Sequence, residues 1–200
     1  MRMTTLILLA TAVLVATAAS PSAAERMVID PGGGSRIVFT SKAPLESFDG
    51  HTDQVGGWLE FDPADLGGAL EFEIAVDLAS FDTGNRKRNG HMRDNHLETG
   101  TYPQAWFRGG TVLETTAAAL APGATATVQM SGELDLHGVV QPVACTADLA
   151  RAADGSLTVE AAFEVKLSDH SIERPKFLVM KLADEQQVKV TLVLRPEAGR

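Results

Sequence analysis

The chain has little of several features that usually reveal an activity. It contains a single cysteine, Cys145, so no disulfide bond can form within it. It has no His-Glu-x-x-His or paired-cysteine metal motif, no Gly-x-Ser-x-Gly nucleophile turn, and no phosphate-binding or dinucleotide-binding glycine loop. These absences leave no specific support for an enzyme, and neither a resident metal nor a cofactor is predicted.

The charge balance argues against a polyanionic partner. The sequence has 17 basic and 26 acidic residues and a formal net charge of -9. An acidic protein repels phosphate backbones and gains solubility from its charge. Nucleic acid is therefore not an expected partner.

The first residues are typical of a cleaved signal peptide. Arg2 supplies the positive charge, residues 6–16 form the apolar stretch, and Ser22-Ala23-Ala24 is a small-x-small cleavage site. The alternative, a retained membrane anchor, would need roughly 20 apolar residues, whereas this run has about a dozen. We expect residues 1–24 to be removed on export and residues 25–200 to fold as one domain.

The rest of the chain alternates apolar and polar residues with a period of two, the pattern of strands with one buried face. The clearest example is residues 70–78, where Phe72, Ile74 and Val76 alternate with polar or small residues. Further strands are predicted at residues 27–30, 36–42, 57–62, 104–113, 125–136, 139–150, 159–167 and 188–194. Eight or more strands indicate an all-β fold, in which Cys145 serves as a small apolar group.

Two segments depart from this alternation. Residues 86–98 are polar and predict a helical turn or two, whereas residues 176–182 fit either a short buried strand or a helical turn. Residues 62–68 and 117–123 are predicted to be surface connections, and His137-Gly138 a hairpin turn. Strands with one apolar face either stack as a sandwich or close into a barrel, and the pattern alone does not choose between them.

Several separated motifs, in order along nearly the whole mature chain, carry a resemblance to a known family. They are Ile29-Asp30-Pro31 with residues 35–39, residues 57–62, Ser80-Phe81-Asp82-Thr83-Gly84-Asn85 through His91-Met92-Arg93, residues 102–107, Gly132-Glu133-Leu134-Asp135-Leu136-His137-Gly138 with Gln141-Pro142-Val143, and residues 167–172 with 175–178. In these motifs the chain resembles the YceI-like proteins.

The resemblance implies a closed antiparallel, lipocalin-like β-barrel of about eight strands with one short helical segment. It also implies export to the periplasm and binding of polyisoprenoid lipids, such as quinones or polyprenyl lipids, inside the barrel, for transport or for sequestration. Two departures bear on the lipid head group: Asn95-His96-Leu97 replaces an aromatic pair found in many members, and His170 replaces an aromatic residue found in some. Transient membrane contact and a homodimer are left open.

An apolar tunnel would bind an isoprenoid through many weak aliphatic contacts, each removing apolar surface from water. The candidate ligand-binding residues are the predicted inward-facing ones: Ile37, Phe39, Leu59, Phe61, Phe72, Ile74, Val76, Leu134, Leu136, Phe163, Val165 and Leu167. Plain core packing is the alternative for each of them. A polar mouth that meets the head group is predicted at Arg86, His91, Arg93 and His96.

Two other interpretations remain open. In the first, His91, His96 and His170 hold a metal ion or a haem, although the five-residue spacing of the first two does not suit one helical face. In the second, the barrel is filled by its own side chains and acts as an interaction module, for instance in an envelope stress response. The roles of these histidines and of His137 are not decided by the sequence.

Overall fold

A computed structural model describes residues 24–42, 47–177 and 180–197 of the chain. Residues 1–23 of the predicted signal peptide lie outside this part. The described strands and helix are β1 (Glu25–Ile29), β2 (Arg36–Lys42), β3 (Ser47–Thr52), β4 (Val55–Phe61), β5 (Leu70–Asp77), α1 (Arg86–Asn95), β6 (Gln104–Thr115), β7 (Thr125–Leu136), β8 (Val139–Arg151), β9 (Leu157–Lys166), β10 (Lys176–Phe177), β11 (Met180–Lys181) and β12 (Glu185–Pro196). None of the helices in these ranges is long and apolar enough to span a bilayer.

Eight of these strands close into an antiparallel barrel. They follow one another in the order β1-β4-β5-β6-β7-β8-β9-β12, and β12 pairs again with β1. Closure occurs at Met27, which lies opposite Leu59 of β4 on one side and Pro196 of β12 on the other. The predicted closed all-β barrel with one helical segment is confirmed.

A hairpin extends the barrel wall at one end. The first half of β12 pairs with β2 rather than with β1, and β2 pairs in turn with β3. The sequence analysis did not predict β3, because Ser47–Thr52 is mostly polar and contains Gly50. A single backbone bridge between His51 and Asp82 ties this hairpin to the segment that precedes α1.

The end of the barrel farthest from this hairpin is closed by two connections that were predicted to lie on the surface. The other residues of both connections are exposed or half-buried, as predicted, but Leu66 is 5% exposed and Leu120 is fully buried. The backbone N–H of Leu66 donates to the carbonyl of Ala118 at 2.9 Å, and that of Leu120 donates to Pro63 at 2.7 Å. The two connections thereby form a plug whose leucines pack on the barrel core.

The opposite end carries α1 and the β7–β8 hairpin. The predicted turn at His137-Gly138 is confirmed, with Leu136 paired to Val139 and positive φ angles at both turn residues. Gly138 has a second reason to be glycine, because a Cβ there would lie 2.7 Å from the Tyr102 ring. Of the ambiguous segment 176–182, the strands β10 and β11 pair with each other, whereas residues 178–179 lie outside the described residues.

The leucine plug can be tested by a matched pair of substitutions. Leu120→Ala should lower the free energy of unfolding by about 2–5 kcal/mol, because it leaves a cavity in a fully buried position. Leu113→Ala should change it by no more than about 0.5 kcal/mol, because Leu113 is 58% exposed. Urea unfolding of both variants measures the difference, and equal values would show that residue 120 does not close the barrel.

Candidate functional site

The barrel encloses a cavity of about 930 Å³. The barrel is therefore not filled by its own side chains, which removes the premise of the interaction-module interpretation. All twelve predicted ligand-binding residues line this cavity: Ile37, Phe39, Leu59, Phe61, Phe72, Ile74, Val76, Leu134, Leu136, Phe163, Val165 and Leu167. Whether they contact a ligand stays a prediction.

The wall of the cavity is apolar along most of its length. Phe72, Phe107 and Phe163 form a row of rings across three strands, with centroid separations of 4.8 Å and 6.2 Å. The sequence analysis missed lining residues on β8 and β12, namely Cys145, Ala147, Leu149, Val188, Val190 and Leu192. The same two-residue alternation that predicted these strands would have identified them.

The polar residues of the lining gather at one end, which we call the mouth. The mouth consists of Ser41, Asn85, Lys87, Arg88, His91, His96 and Gln186. They come from the end of β2, the start of β12 and the region of α1, all at the open end of the barrel. An amphiphile that enters here would leave its head at the mouth and its tail in the barrel.

The predicted mouth residues divide into two groups. His91 and His96 line the cavity, but Arg86 and Arg93 are not among its lining residues. Arg93 instead donates to the carbonyl of Ala79 at 3.3 Å, and Arg86 is exposed. The separation of seven residues places Arg86 and Arg93 on one helix face.

Lys87 and Arg88 line the cavity, where the sequence analysis predicted Arg86 and Arg93. The sequence analysis missed both, although the spacing of Arg88, Met92 and His96 at four-residue intervals could have indicated the inner face of the helix. Ser41 and Gln186 were missed because each interrupts an otherwise apolar inward row.

A polar network holds α1 over the mouth. The side-chain oxygen of Asn85 caps the helix by accepting from the N–H groups of Lys87 and Arg88 at 3.0 and 3.2 Å. The buried Asn89 accepts from the N–H and the hydroxyl of Thr83 and donates to Asp82 at 2.8 Å. The helix is thereby fixed to the loop that precedes it.

Asp82 is the charged member of this network. The hydrogen bond from the Asn89 side chain, and then that from the Gly84 N–H, lower the pKa of Asp82 below its ordinary value of 3.8. The folded state therefore favours the carboxylate form. These hydrogen bonds to Asp82 stabilise the folded state fully at pH values above the pKa of Asp82 in the unfolded chain. The stabilisation is lost as the pH falls through the lower pKa of Asp82 in the folded chain.

Arg88 is held in a defined position at the mouth. Its Nε donates to the Thr83 hydroxyl at 2.9 Å, and Nη2 donates to the Thr83 carbonyl at 2.8 Å. The guanidinium group lies 3.9 Å from the centroid of the Phe48 ring, a cation–π arrangement. At the other end of the helix, Nδ1 of His96 donates to the carbonyl of Glu173 at 2.9 Å.

His137 and His170 form hydrogen bonds with loops around the mouth. His137 bonds to the carbonyl of His170 and lies 3.2 Å from a carboxylate oxygen of Glu98. His170 is buried and bonds through Nδ1 to Val139. Within the described ranges, no group of three or more His, Cys, Asp or Glu side chains is placed to hold a metal ion.

With the barrel, its cavity and its motifs in place, comparison with known proteins decides the family. The model of the YceI-like domain matches residues 27–194. The chain belongs to the YceI-like family. The resemblance noted in the sequence is thus confirmed.

Relatives of this YceI-like chain include a UPF0312 protein of Vibrio parahaemolyticus, 23% identical over 145 residues, which are 72% of each chain. Among solved structures, Burkholderia cenocepacia BcnA is 24% identical with a TM-score of 0.68, covering 82% of this chain and 98% of its own. A polyisoprenoid binding domain from Saccharophagus degradans, implicated in plant cell wall breakdown, is 23% identical with a TM-score of 0.67, covering 86% and 98%. These structures share the fold of the YceI-like barrel.

The network under α1 predicts a selective effect of one asparagine. Asn89→Ala should lower the free energy of unfolding by about 1–3 kcal/mol, because it leaves the buried donors of Thr83 without an acceptor. Asn95→Ala, at an exposed position at the end of the same helix, is the matched control. Chemical unfolding followed by circular dichroism measures both, and an equally small effect would mean that the network does not anchor the helix.

The thiol of Cys145 should react slowly in the folded protein. Burial raises the pKa of this thiol, and each unit of increase lowers the thiolate fraction about tenfold. Reaction with a chromogenic disulfide reagent at pH 8 should therefore be much slower than in the urea-unfolded chain and should accelerate as the pH rises. Equal rates in the two states would contradict burial of the thiol in the barrel.

Proposed function

We propose that this protein binds polyisoprenoid-type lipids in its barrel, without covalent chemistry, and that it does so in the periplasm after export. The observation that carries the proposal is the cavity of about 930 Å³, apolar along its length and polar only at its mouth. This division of polarity suits an amphiphile with a long apolar tail. Periplasmic location is supported by the signal-like first 24 residues.

The lining suits an isoprenoid tail energetically. Each methylene group transferred from water to an apolar site contributes about 0.8 kcal/mol. At about 30 Å³ for each water-sized group, a cavity of 930 Å³ holds roughly thirty non-hydrogen atoms, which accommodates a tail of four isoprene units and a head group. Branched tails also fit a wall built of phenylalanine, leucine, isoleucine and valine.

A structural neighbour adds support of a different kind. The Saccharophagus degradans structure, described as a polyisoprenoid binding domain, is matched over 86% of the present chain. A shared fold alone does not carry a ligand from one protein to another. The apolar lining of this chain's own cavity supports the same ligand class independently.

The open mouth indicates how a lipid would be exchanged. The barrel is plugged at the end that contains Leu66 and Leu120, so a tail enters and leaves past α1. We propose transient contact of this end with a membrane during loading, followed by transport or sequestration of the lipid in the aqueous phase.

Native mass spectrometry tests the proposal. The mature protein, purified from an envelope fraction and also after incubation with geranylgeraniol, should carry one isoprenoid molecule per chain. Cys145→Trp should reduce this adduct, because the larger side chain takes up part of the cavity. Ala144→Trp places the same side chain on the exposed outer face of the same strand and should bind normally.

The variants also identify the binding location. Equal amounts of adduct in the two tryptophan variants would contradict binding of the lipid inside the barrel. Absence of any isoprenoid adduct in the unaltered protein, from either source, would reject lipid binding itself. Circular dichroism of each variant verifies that the barrel has formed.

A further inference from the structure

The described lining of the mouth contains basic but no acidic side chains, unlike the chain as a whole. The sequence has nine more acidic than basic residues. Among the described residues that line the cavity, however, there is no aspartate or glutamate, whereas Lys87 and Arg88 are both present. His91 and His96 add two further nitrogen-bearing side chains on the same side.

A second observation at the mouth points to a missing hydrogen-bond partner. Ser41 follows Ile37 and Phe39 in the inward row of β2, is fully buried and lines the cavity. Its hydroxyl has no hydrogen-bond partner in the described part of the chain. A buried hydroxyl without a partner costs free energy, so such groups usually meet water, an ion or a ligand.

Gln186 is the polar neighbour of Ser41 across the strands. Continuing the β2–β12 register one position beyond the pair Thr40–Gln187 places Gln186 opposite Ser41. Gln186 is 6% exposed, lines the cavity, and donates through Nε2 to the carbonyl of Ala183 at 2.8 Å. The two residues form the buried polar part of the mouth.

We propose that the mouth is a site for a phosphate head group, so that the ligand is a polyisoprenyl phosphate rather than a neutral quinone. This inference rests on the proposed lipid-binding function and specifies its ligand. A phosphate monoester carries a charge of about -1.5 to -2 at pH 7 and offers three acceptor oxygens. The Lys87 ammonium group supplies the opposite charge, and the Ser41 hydroxyl supplies an additional donor.

A quinone fits these groups less well. Its carbonyl oxygens are neutral acceptors, so they gain little from the cationic side chain of Lys87. Lys87 lines the cavity beside Arg88, whose guanidinium group is held in place by Thr83 and the Phe48 ring. The Lys87 cation at the mouth favours a charged head group over a neutral one.

Three lipids with the same tail of four isoprene units separate the head group from the tail. Geranylgeranyl phosphate, geranylgeraniol and menaquinone-4 are titrated into the lipid-free protein below their micellar concentrations by isothermal calorimetry. We expect the phosphate to bind at least about tenfold more tightly than the other two, with an affinity that falls as salt is added.

The outcomes of this titration distinguish lipid binding by the barrel from recognition of a phosphate head group at the mouth. Equal affinities for all three lipids, or tighter binding of menaquinone-4, would overturn the phosphate site and leave lipid binding intact. No binding of any of the three would reject the proposed function itself. Saturable binding of inorganic phosphate as tight as that of the lipid would assign the mouth to a free anion and overturn the inference.

Charge-matched variants locate the contact. Lys87→Gln should weaken geranylgeranyl phosphate about tenfold and leave geranylgeraniol unchanged. Arg86→Gln removes the same charge from the neighbouring residue of the same helix, which does not line the cavity, and should leave both affinities within about twofold. Equal losses in the two variants would indicate a general charge effect and contradict a site at the mouth.

Ser41→Ala gives a readout that a structural role would not produce. Since the hydroxyl has no partner in the described residues, its removal should leave the melting temperature of the lipid-free protein unchanged or raised. It should nevertheless weaken geranylgeranyl phosphate about fivefold relative to geranylgeraniol. A lowered melting temperature with unaltered head-group preference would remove Ser41 from the site.

Discussion

Closure of the backbone hydrogen-bond ring at β1 is the constraint on which the rest of the structure depends. Because β1 pairs with both β4 and β12, eight strands share a single interior, and every second residue of each strand must face it. Inward-facing residues of these strands therefore all lie in the interior of the barrel. The size of their side chains decides how much of the interior stays empty, and in this chain the empty cavity has a volume of about 930 Å³.

One end of the barrel is closed by apolar side chains, whereas the other end is lined by polar ones. At one end, Leu66 and Leu120 fill the opening, and the backbone groups of their connections are satisfied by pairing with each other. At the other end, a mostly polar helix is fixed by the hydrogen bonds of Asn85 and Asn89, and its Met92 packs against the core. With polar residues at one end of an apolar tunnel, the cavity has a direction, and a bound amphiphile would have one head position and one tail position.

Much of this could be predicted from the sequence because a period of two identifies strands and their inward faces independently of tertiary context. The twelve inward residues named from that alternation all line the cavity. The burial of Leu120 could not be predicted, because it arises from pairing with a connection far away in the chain. Arg86 and Arg93 were predicted at the mouth because a helix with a single apolar side chain, Met92, gives only a weak sign of its inner face. The polar strand β3 had no alternation to detect, and Ser41 became visible only when its lack of a partner could be seen.

The barrel can close only after β12, the last strand of the ring along the chain, has paired with β1. This strand pairs with β9, β2 and β1, so the first and last strands of the described chain are hydrogen-bonded neighbours. Contacts between such distant segments form late and slowly, since a long loop must be ordered before they stabilise anything. Without Glu185–Pro196, the ring of strands would be an open sheet with two unpaired edges. Pairing of this final strand thus separates a state prone to edge-to-edge association from one with an enclosed interior.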